Sequence, residues 1–228
     1  MALLLCIDTS TTHASVALAR DEQLLCIKVN QQQKDHASFL QPAIKEMMHE
    51  TKLNLADLSA IAVTSGPGSY TGLRVGFASA KGLCYALQIP LIVISTTEVM
   101  SAAALQEVNQ QSEKADAFFL CPMIDARRME VFTAVYSHEL KLVAANKALI
   151  LNQDSFAELL KAAPVFFFGN GADKWQPLCG HPNAHFIHVQ WNAKDMIGPA
   201  NRRLVNNDFT PLAHSVPDYG KDFHTAVK

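Results

Sequence analysis

The sequence predicts a mixed α/β protein in two lobes, with helices packed on the faces of β-sheets. Three short strand-like segments open the chain and are joined by hairpins. Helical and strand-like segments then alternate, and the same style begins again after a polar break at residues 109–114. This order of elements is typical of sheets that carry helices on their faces. We therefore expect one lobe over residues 1–108 and a second, reduced lobe over residues 115–228.

The first lobe is predicted from apolar runs bounded by turn signals. Its five strands are expected at residues 3–7, 15–19, 23–29, 60–64 and 91–94. Apolar residues at helical spacing predict helices over residues 36–50, 71–87 and 97–107. The second of these helices is apolar nearly all round, which indicates that more than one of its sides is buried.

The second lobe repeats the pattern with less helix. Its strands are expected at residues 118–124, 129–136, 140–150, 165–168 and 186–190. A short helix is predicted over residues 155–161. A last helical stretch, over residues 194–205, contains Gly198-Pro199, where we expect a kink or a break. The tail from residue 210 is expected to be irregular.

Composition and charge exclude several classes of protein. The 228 residues are 49% hydrophobic and 18% charged, which excludes a disordered or low-complexity chain. The formal charge of −2 leaves no basic excess that could hold a nucleic acid by itself. The five cysteines form no Cys-x-x-Cys pair, which favours a reducing, cytoplasmic compartment. The apolar start is too short for a signal peptide, and no apolar run approaches the roughly 20 residues of a membrane span.

Two polar segments follow predicted strands at positions where an anion could bind. Asp8-Thr9-Ser10 could hold a metal–phosphate group, or it could be a turn capped by its own side chains. Residues 66–74 (GPGSYTGLR) open a helix and could bind an anion on free N–H groups. Alternatively, their glycines only permit a tight turn. No Gly-Lys-Ser/Thr follows, so the segment is not a Walker A loop.

The order and spacing of three segments closely resemble those of the bacterial TsaB family. The segments are residues 7–10 (IDTS), residues 66–74 and residues 125–132 (DARRMEVF), and Gly169-Asn170-Gly171 lies where that family has a glycine turn. The resemblance covers roughly residues 1–190. It implies a two-lobed actin-like ATPase fold of the ribonuclease H-like kind. It also implies a non-catalytic subunit of the complex that transfers a threonylcarbamoyl group to the adenosine beside the tRNA anticodon.

The resemblance implies a set of partners as well. It names TsaD, the catalytic paralogue, as the protein that this chain would bind and activate, with the small ATPase TsaE in the same complex. It implies a homodimer when the chain is alone. The lack of a basic excess predicts no direct binding of tRNA by the chain alone. The resemblance implies no cofactor for the isolated chain and leaves ATP or ADP to the interface within the complex.

The resemblance further implies that the partner is bound through the helices predicted at residues 36–50 and 71–87. Small residues spaced four apart would let a facing helix approach closely. The expected partner interface is Leu40, Ile44, Met47, Gly72, Leu73, Gly76, Ala80 and Leu83. The residues themselves leave a second interpretation open, in which both helices are buried in the chain's own core.

The phosphate-binding loops of an actin-like ATPase are degenerate in this chain. Ser10 stands where a glycine is usual, and Asp125 is followed by Ala126-Arg127 in place of two glycines. Arg127 would obstruct the close approach of a phosphate, although its charge could bind an anion. We therefore expect no ATP hydrolysis. The residues of these loops are Asp8, Ser10, Gly66, Gly68, Ser69, Arg74, Asp125, Arg127, Gly169 and Gly171.

Two enzymatic alternatives compete with the accessory role. A small actin-like-fold kinase or ATPase would need intact phosphate loops. A metallopeptidase would need a pair of histidines four residues apart, but His36 is followed at that spacing by Leu40. His181, His185 and His188 are expected in a polar surface region and not in a metal site, because the last two would face opposite ways on a strand.

Overall fold

The computed structural model describes residues 1–30, 35–110 and 117–221. The chain divides into two compact units. Unit 1 contains Met1–Ala102 and Gln190–Pro217, and unit 2 contains Ala103–Val189 and Asp218–Lys228. Each unit has one five-stranded mixed sheet, as the alternation of strands and helices predicts.

Unit 1 is built on a sheet with the strand order β3-β2-β1-β4-β5. Its strands are β1 (Leu3–Asp8), β2 (Ser15–Arg20), β3 (Gln23–Val29), β4 (Ala60–Thr64) and β5 (Leu91–Ile94). The first three strands are antiparallel neighbours, whereas β4 runs parallel to β1 and β5 runs parallel to β4. Parallel neighbours place the carboxyl ends of β1 and β4 at the same edge of the sheet, where the loops that follow them meet.

Unit 2 repeats this topology with the order β10-β9-β6-β7-β8. Its strands are β6 (Phe119–Asp125), β7 (Glu130–Ser137), β8 (Leu142–Ile150), β9 (Val165–Phe168) and β10 (Ala184–Phe186). Again three antiparallel strands are extended by two parallel ones. The predicted last strand at residues 186–190 was placed too late, because pairing with β9 ends at Phe186.

Five α-helices are present in the described residues. They are α1 (His36–Thr51), α2 (Tyr70–Leu87), α3 (Thr96–Gln110), α4 (Ala157–Ala162) and α5 (Ile197–Val205). α3 continues through the first two residues of the predicted polar break at 109–114, and residues 111–114 lie outside the described residues. None of the described helices is long and apolar enough to cross a membrane.

The two faces of β1 belong to different parts of the core of unit 1. Leu5 and Ile7 are buried in the cluster that contains the apolar faces of α1 and α2. Leu4 and Cys6, which alternate with them, are buried in the cluster that contains α5. A strand that is apolar on both faces is expected where helices cover both sides of a sheet.

The C-terminal segment corrects the predicted lobe boundary, because residues 190–217 belong to unit 1 and not to a second lobe over 115–228. A 3₁₀ helix, Ala193–Met196, runs directly into α5. Met196 and Ala200 are fully buried against a face of the sheet. The small side chains of that face, Ala17, Ala19, Ala60 and Ala62, leave the space in which the helix lies.

The kink expected at Gly198-Pro199 is also corrected. The change of helix type occurs between Met196 and Ile197, and Pro199 lies inside the first turn of α5. The N–H groups of a first turn have no partner within the helix, so proline interrupts no hydrogen bond there. Beyond α5 the tail is irregular, as expected, apart from an isolated antiparallel bridge between Thr210 and Leu91.

Asp195 is a buried acid at the start of this C-terminal segment. Its side chain is 3% exposed, and Oδ2 accepts a hydrogen bond from the N–H of Asn192 at 2.9 Å. Burial, with a contribution from the charge of Asp8, raises the pKa of Asp195 to about 6. Because its pKa is higher in the folded state than the ordinary value near 4, the protein loses stability as the pH rises from about 4 to about 6, and the loss is complete above pH 6.

We predict that Asp195→Asn stabilises the protein at pH 7.5 by about 2 kcal/mol. The amide oxygen can still accept the hydrogen bond from the N–H of Asn192, and the substitution removes the buried charge. Urea unfolding at pH 4.0 and pH 7.5 measures the effect. The wild type should lose stability as the pH rises from about 4 to about 6 and change little above that, and the gap between wild type and variant should close near pH 4. The exposed Asp173→Asn is the control and should change neither curve. Parallel pH profiles for wild type and Asp195→Asn would contradict the prediction.

Candidate functional site

The hairpin after β1 is covered by the glycine-rich loop and by α2. The N–H of Ser69 donates to the carbonyl oxygen of Ser10 at 2.7 Å. A Cβ atom built on Gly68 would lie 2.2 Å from that same oxygen, and one on Gly72 would lie 2.2 Å from the carbonyl oxygen of Thr9. Only glycine permits an approach this close. The glycines therefore hold the chain's own hairpin.

The same contact continues one turn along α2. A Cβ atom on Gly76 would lie 2.3 Å from Oγ1 of Thr9, which is buried and has no hydrogen-bond partner among the described residues. Gly66, at the start of the loop, has φ +116° and accepts a hydrogen bond from the N–H of Thr96 at 2.9 Å. Ser69 caps α2, since its Oγ accepts from the N–H of Gly72 at 3.2 Å.

Asp8 organises the hairpin from inside. Its Oδ1 accepts hydrogen bonds from the N–H of Ser10 at 3.0 Å, from the hydroxyl of Ser10 at 2.7 Å and from the hydroxyl of Thr64 at 3.0 Å. The side chain is 2% exposed, and this burial raises the pKa of Asp8 while the three hydrogen bonds oppose the rise. Of the two interpretations of residues 8–10, the structure shows the turn capped by its own side chains.

His36 anchors the hairpin from α1, a role that the sequence analysis missed. Its Nε2 lies 2.8 Å from the carbonyl oxygen of Thr11, and a carbonyl can only accept, so Nε2 carries the proton. The ring also lies against Gly72, where a Cβ atom would be 2.7 Å from Cδ2. A histidine at the first position of a helix that follows a polar loop was the only signal in the sequence.

The residues predicted to contact a partner are mostly buried within unit 1, which corrects their assignment to an interface. The chain's own sheet and hairpin cover them, so the core interpretation that the residues left open is the one observed. Leu83 alone is half-buried. The buried residues are Leu40, Ile44, Met47, Gly72, Leu73, Gly76 and Ala80.

A different set of residues forms the exposed side of α2. Tyr85 is 72% exposed and Tyr70 is 42% exposed, and the guanidinium of Arg74 lies 4.0 Å above the Tyr70 ring. Ala78 and Gly82 are exposed between them, and nothing lies within 4 Å of a Cβ atom built on Gly82. We call these five residues the outer face of α2. It combines small side chains and aromatic rings, and it has no acidic residue.

The turn between β6 and β7 is the counterpart of the hairpin in unit 2. Asp125 Oδ1 accepts from the N–H of Arg127 at 2.5 Å and pairs with Nζ of Lys174 at 2.5 Å. The ammonium of Lys174 holds the pKa of Asp125 below its ordinary value. The N–H of Asp125 donates to Oδ1 of Asn170 at 2.9 Å, in the glycine turn whose Gly169 has φ +94°.

Gly171 brings this turn against the sheet of unit 2. A Cβ atom on Gly171 would lie 2.7 Å from Cγ1 of Val131 and 3.1 Å from the backbone carbon of Ile124. The close approach positions Lys174, three residues later, beside Asp125. Arg127 and Arg128 have φ +71° and +48° and are exposed. The structure therefore brings Asp125, Gly169 and Gly171 together, with Arg127 at the exposed end of the turn.

Histidines and acids do not cluster elsewhere. Within residues 1–30, 35–110 and 117–221, no three His, Cys, Asp or Glu side chains come together as a group of possible metal ligands. His181 and His188 are exposed, and the ring of His185 stacks on Phe166 with centroids 5.1 Å apart.

We predict opposite effects for alanine at two glycines of α2. Gly72→Ala should destabilise the protein by ~2–3 kcal/mol, because its Cβ would overlap a backbone oxygen that cannot move aside. Gly82→Ala has open space and should stabilise the helix by up to ~1 kcal/mol. Urea unfolding of the two variants measures both values. Equal effects at the two positions would show that the hairpin contact does not constrain α2.

Comparison with known proteins places these features in a family. Residues 23–172 match the model of the family described as TsaD: tRNA N6-adenosine threonylcarbamoyltransferase. The tRNA threonylcarbamoyladenosine biosynthesis protein TsaB of Bacillus subtilis is 31% identical over 172 residues, which cover 73% of this chain and 70% of that protein. The TsaB protein of Haemophilus influenzae is 38% identical over 131 residues, 57% of this chain and 51% of that protein. The chain therefore matches about half to 70% of the length of these relatives.

Solved structures from Pseudomonas aeruginosa share the fold. A protein described as similar to the peptidase YEAZ has a TM-score of 0.82 at 26% identity, covering 97% of this chain and 100% of that chain. The structure described as YeaZ has a TM-score of 0.78 at 26% identity, with 96% and 100% covered. These matches confirm the predicted fold class. Since the TsaB protein of Bacillus subtilis is 31% identical and the match covers 73% of this chain and 70% of that protein, the chain belongs to the TsaB family.

Proposed function

We propose that the chain is a non-catalytic, cytoplasmic subunit of the complex that transfers a threonylcarbamoyl group to the adenosine beside the tRNA anticodon. In that complex it binds and activates TsaD. The names of the Bacillus subtilis and Escherichia coli relatives assign those proteins to the biosynthesis of this nucleoside. The observation that carries the proposal is that the hairpin after β1 is closed by the chain's own Ser69. A closed hairpin favours a supporting role over a catalytic one, because a catalytic ATPase would need this hairpin open to a phosphate.

The closed hairpin supports a non-catalytic role. The hydrogen bond from the N–H of Ser69 to the carbonyl oxygen of Ser10, at 2.7 Å, occupies the hairpin where a phosphate would approach in an active ATPase. The carboxylate of Asp8 already accepts three hydrogen bonds from the chain's own groups. The competing function, a small kinase or ATPase, would have to break this arrangement before a nucleotide could bind. ATP or ADP belongs in our proposal to the assembled complex.

The outer face of α2 is the surface that we assign to TsaD. A helix face with Ala78 and Gly82 at its centre lets another helix approach closely, and Tyr85 adds a large exposed ring that gains from burial. The TsaD family model matches residues 23–172, which include α1 and α2, so TsaD carries a related pair of helices that can meet them. The isolated chain forms its homodimer through the same face. TsaD then replaces the second copy of the chain at this face, and TsaE joins the complex afterwards.

A reconstituted modification assay tests the function. Transfer RNA, TsaD, TsaE and the enzyme that supplies the threonylcarbamoyl adenylate are incubated with and without the chain. Modification that requires the chain, together with no ATP turnover by the chain alone, supports the proposal. Equal modification without the chain would overturn it, and ATP turnover by the isolated chain would favour the kinase or ATPase.

We predict that Gly82→Leu weakens binding to TsaD by about tenfold or more, because the new side chain stands between the two helices. Nothing within 4 Å meets a Cβ atom at this position and leucine favours a helix over glycine, so the variant should unfold at the same temperature as the wild type or a few degrees above it. Gly180→Leu is the matched control, since that glycine is exposed, also has open space, and lies in unit 2. Calorimetric titration with TsaD measures both variants. Unchanged affinity for Gly82→Leu would move the interface away from α2.

A further inference from the structure

The β6–β7 turn holds two arginines in a backbone conformation that arginine rarely adopts. Arg127 and Arg128, at φ +71° and +48°, are the only adjacent non-glycine residues with positive φ in the described part of the chain. Hairpin turns with two such positions strongly prefer Asn-Gly or Gly-Gly, because a Cβ atom is disfavoured there. A strained pair of large side chains indicates that the side chains themselves have a use.

The chain fixes the turn rigidly from both sides. The N–H of Arg127 donates to Asp125, and its carbonyl oxygen accepts from the N–H of Glu130 at 3.1 Å. The N–H of Ala126 donates to the carbonyl oxygen of Glu130 at 3.0 Å. The carbonyl oxygen of Met129 accepts from the N–H of Leu151 at 2.7 Å. The two arginine side chains are therefore presented from an ordered backbone.

Both nearby carboxylates are already paired with lysines. Asp125 pairs with Lys174 at 2.5 Å, and Glu130 pairs with Lys221. Both arginines are exposed and neither forms an ion pair with a described residue, although the charge of Arg127 contributes to the lowered pKa of Asp125. The two guanidinium groups are thus available to an anion from outside the chain.

The chemistry of this turn fits the phosphates of a polymer. A guanidinium presents its N–H groups as a planar fork that matches two phosphate oxygens. Both arginines stand at an exposed turn, beside Met129 and Ile150 whose side chains are 40% and 69% exposed. Successive phosphates of a nucleic-acid backbone offer one anion to each of two neighbouring arginines, which a single small anion does not.

We propose that Arg127 and Arg128 form a phosphate-binding tip that contacts the backbone of the RNA in the assembled complex. This inference rests on the proposed function, which supplies the RNA. With a formal chain charge of −2, the tip adds two contacts to binding that the complex as a whole provides. It does not give the isolated chain an affinity of its own.

The double variant Arg127→Asn/Arg128→Gly tests the proposal without damaging the fold. Asparagine and glycine suit the two backbone positions, so the melting temperature should stay the same or rise. In the reconstituted complex, the KM for tRNA should increase about fivefold to tenfold while kcat changes little. The slope of log affinity against log salt should become shallower by about 1 to 2, as expected for two lost phosphate contacts.

The control variant Arg20→Ala/Arg202→Ala removes two exposed arginines of unit 1 and should leave the KM for tRNA unchanged. Retention of labelled tRNA by the equimolar mixture of the chain and TsaD is measured separately from modification. A wild-type chain that does not support modification refutes the proposed function, whereas the retention of tRNA still tests the tip. Equal retention and equal salt slopes for wild type and Arg127→Asn/Arg128→Gly would overturn the inference. Loss of binding to ATP or inorganic phosphate, with tRNA binding unchanged, would equally overturn it in favour of a small anion.

Discussion

The contact on which unit 1 depends is the approach of α2 to the hairpin after β1. At Gly72 the helix backbone comes so near to Thr9 that a Cβ atom would sit 2.2 Å from its carbonyl oxygen. The hairpin is also tied to β4 through the hydrogen bond between Thr64 and Asp8, and to α1 through His36. One short loop therefore fixes the relative positions of β4, α1 and α2, and a side chain at Gly72 would disturb all three.

This contact explains why α2 contains glycine at all. A glycine inside a helix costs ~1 kcal/mol relative to alanine, and a close contact that leaves no room for a Cβ atom accounts for its presence. Gly72 and Gly76 have that contact in Thr9. Gly82 has none within unit 1, since nothing lies within 4 Å of its Cβ position. No contact among the described residues offsets the cost at Gly82, and this difference separates an internal face of α2 from an exposed one.

The sequence predicts the strands, the helices and their repetition because these depend on local periodicity and on turn residues. Its indication that the helix at residues 71–87 is buried on more than one side is wrong, because the buried residues lie on one face and the outer face of α2 is exposed. The sequence cannot say what covers that helix, because glycines spaced four apart permit the close approach of a loop as well as of a partner helix. The structure shows that a loop of the same chain covers Gly76, because this glycine lies against Thr9. The C-terminal helix shows the same limit, since only the alanines of a distant sheet face determine that α5 packs in unit 1.

The two units share one topology, but the acid at the end of the first strand makes different contacts in each unit. In unit 1 the acid at the end of the first strand, Asp8, holds its own hairpin closed, so its Oδ1 and the hydroxyl of Ser10 bond each other inside the fold. In unit 2 the acid at the end of the corresponding strand, Asp125, pairs with Lys174 and holds a turn whose two arginines are exposed. Salt screens such charges beyond roughly 8 Å at physiological ionic strength. Two exposed arginines therefore act only on an anion that comes close to the turn, so the phosphate-binding tip that we propose depends on other contacts to bring the anion to it.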